Sequence, residues 1–180
     1  MRDEMTYNEA IKSFDFVSFF TDWKQTRMNS VWLAKKVDIE TLAPGFLSIS
    51  PDEVCEPTFH GAKLVRRIHP SGGDHEACIT SGFGLWFNKI YHFSPDLEPS
   101  TRETDIQSEL IVSLQDFPRA VEHIYRLMPL FADKFRISEI RPIAADSIPL
   151  SGAKGRDAMA ITWTWSGDFD SIQSPVMQIQ

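Results

Sequence analysis

Residues 137–165 read ISEIRPIAADSIPLSGAKGRDAMAITWTW. Two runs rich in β-branched and aromatic residues flank a segment of Gly, Pro, Ser and Asp, the composition of two strands joined by a loop. In the first run Glu139 and Arg141 stand two residues apart. Side chains alternate across a strand, so the carboxylate and the guanidinium project from the same face. In the second run, 158–165, Thr162 and Thr164 share one face and Ile161, Trp163 and Trp165 the other. Two such strands set an acid, a base and hydroxyls against a polar ligand, with aromatic bulk behind them.

Working outward, residues 7–14 predict a short helix with Ala10, Ile11 and Phe14 on its apolar side. Residues 16–20 predict a buried strand, and 31–37, after a polar turn, its antiparallel partner. Between Leu42 and Pro99 the periodicity weakens, and more than half of the prolines and most of the glycines fall there. This is a long irregular excursion, of a length that usually lines a site or contacts a neighbour. Alternation returns in 106–114, a half-buried strand. A helix follows, with Asp116 as its cap, Pro118 in its first turn, and Val121, Ile124, Leu127 and Met128 as one stripe. Pro129 ends it. Residues 166–180 lose periodicity and read as a disordered or truncated tail, or as part of an interrupted strand. The fold class expected is α+β, a mostly antiparallel sheet with helices on one face, in a single domain spanning 1–180.

The formal charge of −7 argues against nonspecific nucleic-acid binding, which requires basic surface. No apolar run approaches the roughly 20 residues of a membrane helix. The first ten residues hold acidic groups and no apolar core of a signal peptide. Two cysteines give no disulfide framework, consistent with reduced thiols in a cytoplasmic protein. Cys55, His60, His69, His75 and Cys78, with Asp74 nearby, contain enough donors for zinc, but not in a recognised spacing, so no metal is assigned. Gly152, Lys154 and Gly155 resemble a phosphate loop only superficially; they lack the required spacing and lie between strands, as a turn. Trp163 and Trp165 are expected in the core beneath the polar face. The aromatic cluster at 85–93 is either core or a surface for a partner.

A second layer of information lies in short motifs taken together. SEIRPIAAD (138–146), GRD (155–157) and the closing Thr164-Trp165 resemble the cap-domain segment of alditol oxidases. FFTDW (19–23) followed by VWLAKKVD (31–38) resembles the opening strand pair of the same cap. IHP (68–70) with Cys78, and QSEL (107–110), fall in the expected order between them. These enzymes form the D-arabinono-1,4-lactone oxidase group within the vanillyl-alcohol-oxidase flavoproteins. The order and spacing of the motifs, from about residue 16 to 165, carry the resemblance.

The resemblance implies the cap, or substrate, domain of an FAD-dependent oxidase acting on CH–OH groups of sugar alcohols or sugar lactones, with oxygen as acceptor. Glu139 and Arg141 match the family's polyol-contacting glutamate and arginine, and Thr164 its substrate-side threonine. Arg141 is then the catalytic candidate, donating to substrate hydroxyls and stabilising charge on the reacting oxygen. Thr162 matches no site position and reads as structural. Nothing in the chain matches the family's FAD-binding domain, so FAD would be bound by a domain not present in this chain, supplied in trans if at all, and the isolated chain is expected to be inactive. The readings left open are a part of an oxidase, a stand-alone polyol- or sugar-binding module, and a degenerate remnant.

Overall fold

The strands of the opening stretch sit together inside one sheet. The structure, a computed structural model, describes residues 6–41, 58–63, 83–86 and 105–180. Its strands are β1 (Phe16–Thr21), β2 (Ser30–Ala34), β3 (Thr58–Phe59), β4 (Ala62–Lys63), β5 (Ile106–Ser113), β6 (Phe135–Ile143) and β7 (Ala158–Trp165). Its α-helices are α1 (Tyr7–Ser13), α2 (Phe117–Leu127) and α3 (Phe169–Ile179). Five strands form a sheet in the order β2-β1-β6-β7-β5, and β3 pairs with β4 in a separate ribbon. The pairings β1/β6, β6/β7 and β5/β7 are all antiparallel, so the α+β class expected from the sequence holds.

The chain divides into two compact units. One comprises 1–15 and 34–101, the other 16–33 and 102–180. In the first, α1 begins at a reciprocal cap. Glu9 N–H donates to Thr6 Oγ1 at 3.3 Å and the Glu9 carboxylate accepts from Thr6 N–H at 2.7 Å. The bond from Thr6 N–H, and after it one that the Thr6 hydroxyl donates to the same carboxylate at 2.8 Å, hold the Glu9 carboxyl below its ordinary value. Phe14 packs edge-on against Phe59 of the β3/β4 ribbon, at 6.0 Å.

The second unit holds the five-stranded sheet, and the register sorts its side chains cleanly. Phe19 lies opposite Ile140, Ile140 opposite Ile161, and Ile161 opposite Leu110. Ser138, Trp163 and Ser108 form the adjacent row of that same face. Ile140, Ile161, Trp163 and Trp165 are buried, which places the two tryptophans in the core as expected, stacked at 6.4 Å. The helix α3 lies over this face, its Val176 and Ile179 meeting Leu110 and Trp163 around a small cleft. Buried indoles need a partner for their N–H. Trp23 Nε1 donates to Ser138 Oγ at 2.7 Å, and Trp165 Nε1 to Ser108 Oγ at 2.8 Å. Beside Trp23, Tyr125 donates to the Gln25 carbonyl at 2.6 Å; burial, then the nearby Asp22, raises its phenol above the ordinary value.

One detail near α2 differs from the sequence reading and one agrees with it. Asp116 precedes α2 but its side chain does not cap it; the carboxylate accepts from Ser113 Oγ and Arg119 instead. Met128–Leu130 forms a 3₁₀ turn after α2, so Pro129 does end the α-helix. The larger correction concerns the tail. Residues 169–179 are α-helical, neither disordered nor a strand. Asp168 caps the helix, accepting from Ser171 N–H at 2.8 Å, and Ile172, Pro175 and Ile179 point inward at three- and four-residue spacing. Pro175 occupies one of those apolar positions, which hides the period.

Of the zinc-like constellation, only His60 lies among the described residues, edge-on to Phe59 at 4.4 Å. Leu85 and Trp86, the described part of the 85–93 cluster, are exposed. The remainder of both groups, and most of 42–99, lie outside the described residues. No described helix is long and apolar enough to cross a membrane.

Candidate functional site

The sheet face opposite α3 is polar along one row. Glu139 of β6 lies opposite Thr162 of β7, which lies opposite Glu109 of β5. Two residues on, Arg141 lies opposite Ala160, and Ala160 opposite Ile111. One step the other way, Thr164 lies between Ile137 and Gln107. Neighbouring strands are about 4.8 Å apart and rows along a strand about 7 Å apart, so these side chains tile one patch.

Within it, the guanidinium takes an unexpected partner. Arg141 Nη2 donates to Glu109 Oε1 at 2.8 Å, whereas its Nε stands 3.8 Å from Glu139 Oε1. Because β7 lies between β5 and β6, the arginine crosses a whole strand to make this bond. The methyl group of Ala160 leaves room for that crossing, and a diagonal pairing of this span is within reach of a long side chain. Thr162 Oγ1 donates to the same Glu109 Oε1 at 2.7 Å. On the other side, Ser18 Oγ of β1, itself buried, donates a short bond to Glu139 Oε1. Two carboxylates thus flank one guanidinium, each fixed through Oε1 by a hydroxyl.

This arrangement contributes little to stability. The side chains of Arg141, Glu109 and Glu139 are 42%, 38% and 26% exposed. Ion pairs so open to solvent are worth about 0–1 kcal/mol, and ordering an arginine and two glutamates offsets much of that. By contrast, Arg136 Nη1 donates to both oxygens of Asp105 at 2.6 Å, with the Asp105 side chain 6% exposed, a geometry suited to tying β6 to the start of β5 across the end of β7. The Glu109–Arg141–Glu139 cluster instead leaves polar edges facing outward. Oε2 of each glutamate and Nη1 of Arg141 have no partner among the described residues. Two acceptors and a donor close together match vicinal hydroxyls, each of which donates one bond and accepts another.

Of the residues singled out from sequence, Glu139 and Arg141 are brought together. Thr164 shares their face but sits one row away, 3.5 Å from Gln107 Nε2 at the limit of a hydrogen bond. The strand alternation of 106–114 already placed Glu109 and Gln107 on one face, yet it could not say which strand lies beside β5. Glu109 and Ser18 were missed for that reason. Thr162, read as structural, acts as a support by orienting Glu109.

Among the described residues no group of three or more His, Cys, Asp or Glu could hold a metal ion. A helix N-terminus is one seat for the pyrophosphate of a flavin dinucleotide. The start of each described α-helix is already beside a carboxylate: Glu9, Asp116 and Asp168.

No protein-family model matches the chain. Across 167 residues it is 27% identical to an alditol oxidase of a Streptomyces species, strain IKD472. That match covers 91% of this chain and 37% of the relative's length, so the chain spans little more than a third of the protein it resembles. The relation is distant but runs through nearly all of the sequence.

Proposed function

We propose that this chain is the substrate-orienting part of an FAD-linked oxidase of sugar alcohols, or of the related sugar lactones. The observation that carries the reading is the Glu139–Arg141–Glu109 cluster, with one oxygen of each carboxylate and the guanidinium Nη1 left without a partner among the described residues. Its support is the similarity to an alditol oxidase along 91% of the chain. Because the relative is much longer, oxidation itself is assigned to the complete protein and not to this portion. The flavin, as hydride acceptor, would be held outside the described residues.

What these residues can do is bind and orient. Arg141 Nη1 donates to the oxygen of the carbinol to be oxidised, where it would stabilise developing negative charge. Glu139 Oε2 accepts from the neighbouring hydroxyl, and Glu109 Oε2 from one further along. Thr164 and Gln107, one row away, extend the polar surface to the far hydroxyls of a longer chain. Holding several hydroxyls at once fixes which carbon is presented.

The test is an NMR titration of the isotopically labelled chain with sorbitol. Sorbitol should shift signals of β5, β6 and β7 around Glu139. Hydrogen bonds to charged groups are worth about 1.5–3 kcal/mol, so Glu139→Gln and Arg141→Lys should each weaken binding roughly tenfold or more. Sorbitol binding equally well to both variants would remove the site from the proposal.

A further inference from the structure

We infer that Glu109 makes this site select uncharged polyols and reject sugar acids; the inference rests on the polyol-binding reading above and names what that site discriminates against. Two features of the geometry lead to it. The first is charge. Glu139 with Arg141 alone would be neutral, but Glu109 lies in contact with the same guanidinium, leaving two negative groups and one positive, a formal −1. A ligand carboxylate entering this cluster meets that excess charge.

The second feature is the shape of the guanidinium's remaining surface. Arginine captures a carboxylate through two parallel N–H bonds, using either Nη1 with Nη2 or Nε with Nη2. Here one of the two Nη2 N–H groups already goes to Glu109 Oε1 at 2.8 Å, so a ligand carboxylate gripping Nη2 would lie against that glutamate. Nε is buried without a hydrogen bond and faces Glu139 Oε1 at 3.8 Å. Nη1 has no partner among the described residues and suits a hydroxyl oxygen, which brings no charge to set against Glu109. Thr162 strengthens the effect by keeping Glu109 Oε1 where it occupies Nη2. Glu109 thereby supplies a repulsive charge and occupies part of the guanidinium, a specificity built against the wrong ligand as much as toward the right one.

Sorbitol and gluconate test this directly, since they differ at one end by a carboxylate. Dissociation constants for both are measured by NMR titration on the unaltered chain and on Glu109→Gln, at low and at high salt. The unaltered chain should prefer sorbitol. At separations of about 5–8 Å in a half-exposed site, one charge alters affinity roughly three- to tenfold. Glu109→Gln, which keeps an acceptor for Thr162, should narrow the preference by that factor, mainly by gaining gluconate. Raising the salt should narrow it in the unaltered chain and leave the variant's ratio unchanged. If Glu109→Gln fails to fold, the salt series on the unaltered chain decides alone. Equal affinity for sorbitol and gluconate in the unaltered chain overturns the inference while the polyol-binding reading stands. Binding of neither ligand overturns both.

Discussion

Lys134 Nζ donates to the Ser171 carbonyl at 3.1 Å, and Ser171 is the residue whose helical donor Pro175 lacks. In an α-helix the carbonyl of residue 171 accepts from the N–H of residue 175, and proline has none. The ammonium from the turn before β6 fills the vacancy. Lys134→Met should therefore cost about 1–3 kcal/mol, the range for leaving a largely buried acceptor without a charged donor. With Ala at 175 the helix supplies its own N–H, so the lysine should matter less. A double-mutant cycle of Lys134→Met and Pro175→Ala in urea unfolding checks this, and strict additivity would count against the pairing.

Leu150 is the second place where backbone and side chain disagree. It lies in the β6–β7 loop with φ of 69°, the left-handed region, and its side chain is fully exposed. A leucine there carries a steric cost of about 1–2 kcal/mol, with no contact made in return among the described residues. The loop is otherwise well tied: Asp146 accepts from Ile148 N–H at 2.9 Å and Ser151 Oγ at 2.6 Å. Leu150→Asn, which tolerates this conformation, should stabilise the chain by about 0.5–1 kcal/mol. A melting temperature unchanged or lowered in that variant would show that the strain is offset locally.

How far the sequence could carry the reading depends on whether the signal was local. Alternation in 137–143 and 158–165 correctly placed Glu139 with Arg141, and Thr162 with Thr164, on one face of each strand, because period two is a property of each strand by itself. The buried tryptophans followed from the same pattern. Glu109's place beside Arg141 did not, since strand order and register arise from pairing between segments distant in the chain. The helix at 169–179 was missed for a different reason. Its stripe of Ile172, Pro175, Val176 and Ile179 is regular, but a proline at an apolar position reads as a helix breaker unless a donor such as Lys134 compensates. Asp168 and Ser171, in cap spacing, were the signal that could have revealed it.

That cap also makes a pH prediction. The Asp168 carboxyl is held below the ordinary aspartate value of 3.8, first by the Ser171 backbone N–H and then by the Ser171 side chain, with Lys134 adding a smaller attraction. A carboxyl depressed in the folded state contributes stability that is present above 3.8 and is lost as pH falls through the lower folded value. Signals of α3 followed by NMR should therefore begin to broaden or shift at the acid end before those of β6 and β7. Asp168→Asn keeps an acceptor but no charge, and should remove this acid-dependent step. If both proteins respond alike, the acid sensitivity of α3 has another origin.

The crossing of Arg141 over β7 yields the sharpest test of the site's construction. Arg141 reaches Glu109 only across the face of the intervening strand, where Ala160 and Thr162 stand on the same side. At 160 a larger side chain would occupy the path of the guanidinium. Ala160→Leu should therefore separate Arg141 from Glu109 and return the arginine toward Glu139, without altering any charged residue. Overpacking a buried position costs about 1–3 kcal/mol, so stability will fall somewhat whatever the site does. The informative readout is the ligand ratio. With Nη2 released, a ligand carboxylate can reach the guanidinium without Glu109 held beside it, and gluconate should gain on sorbitol as it does in Glu109→Gln. Ala160→Ser, which leaves the path open, should keep the original preference. A folded Ala160→Leu protein with an unchanged sorbitol-to-gluconate ratio would mean that the Arg141–Glu109 bond does not govern which ligand is accepted.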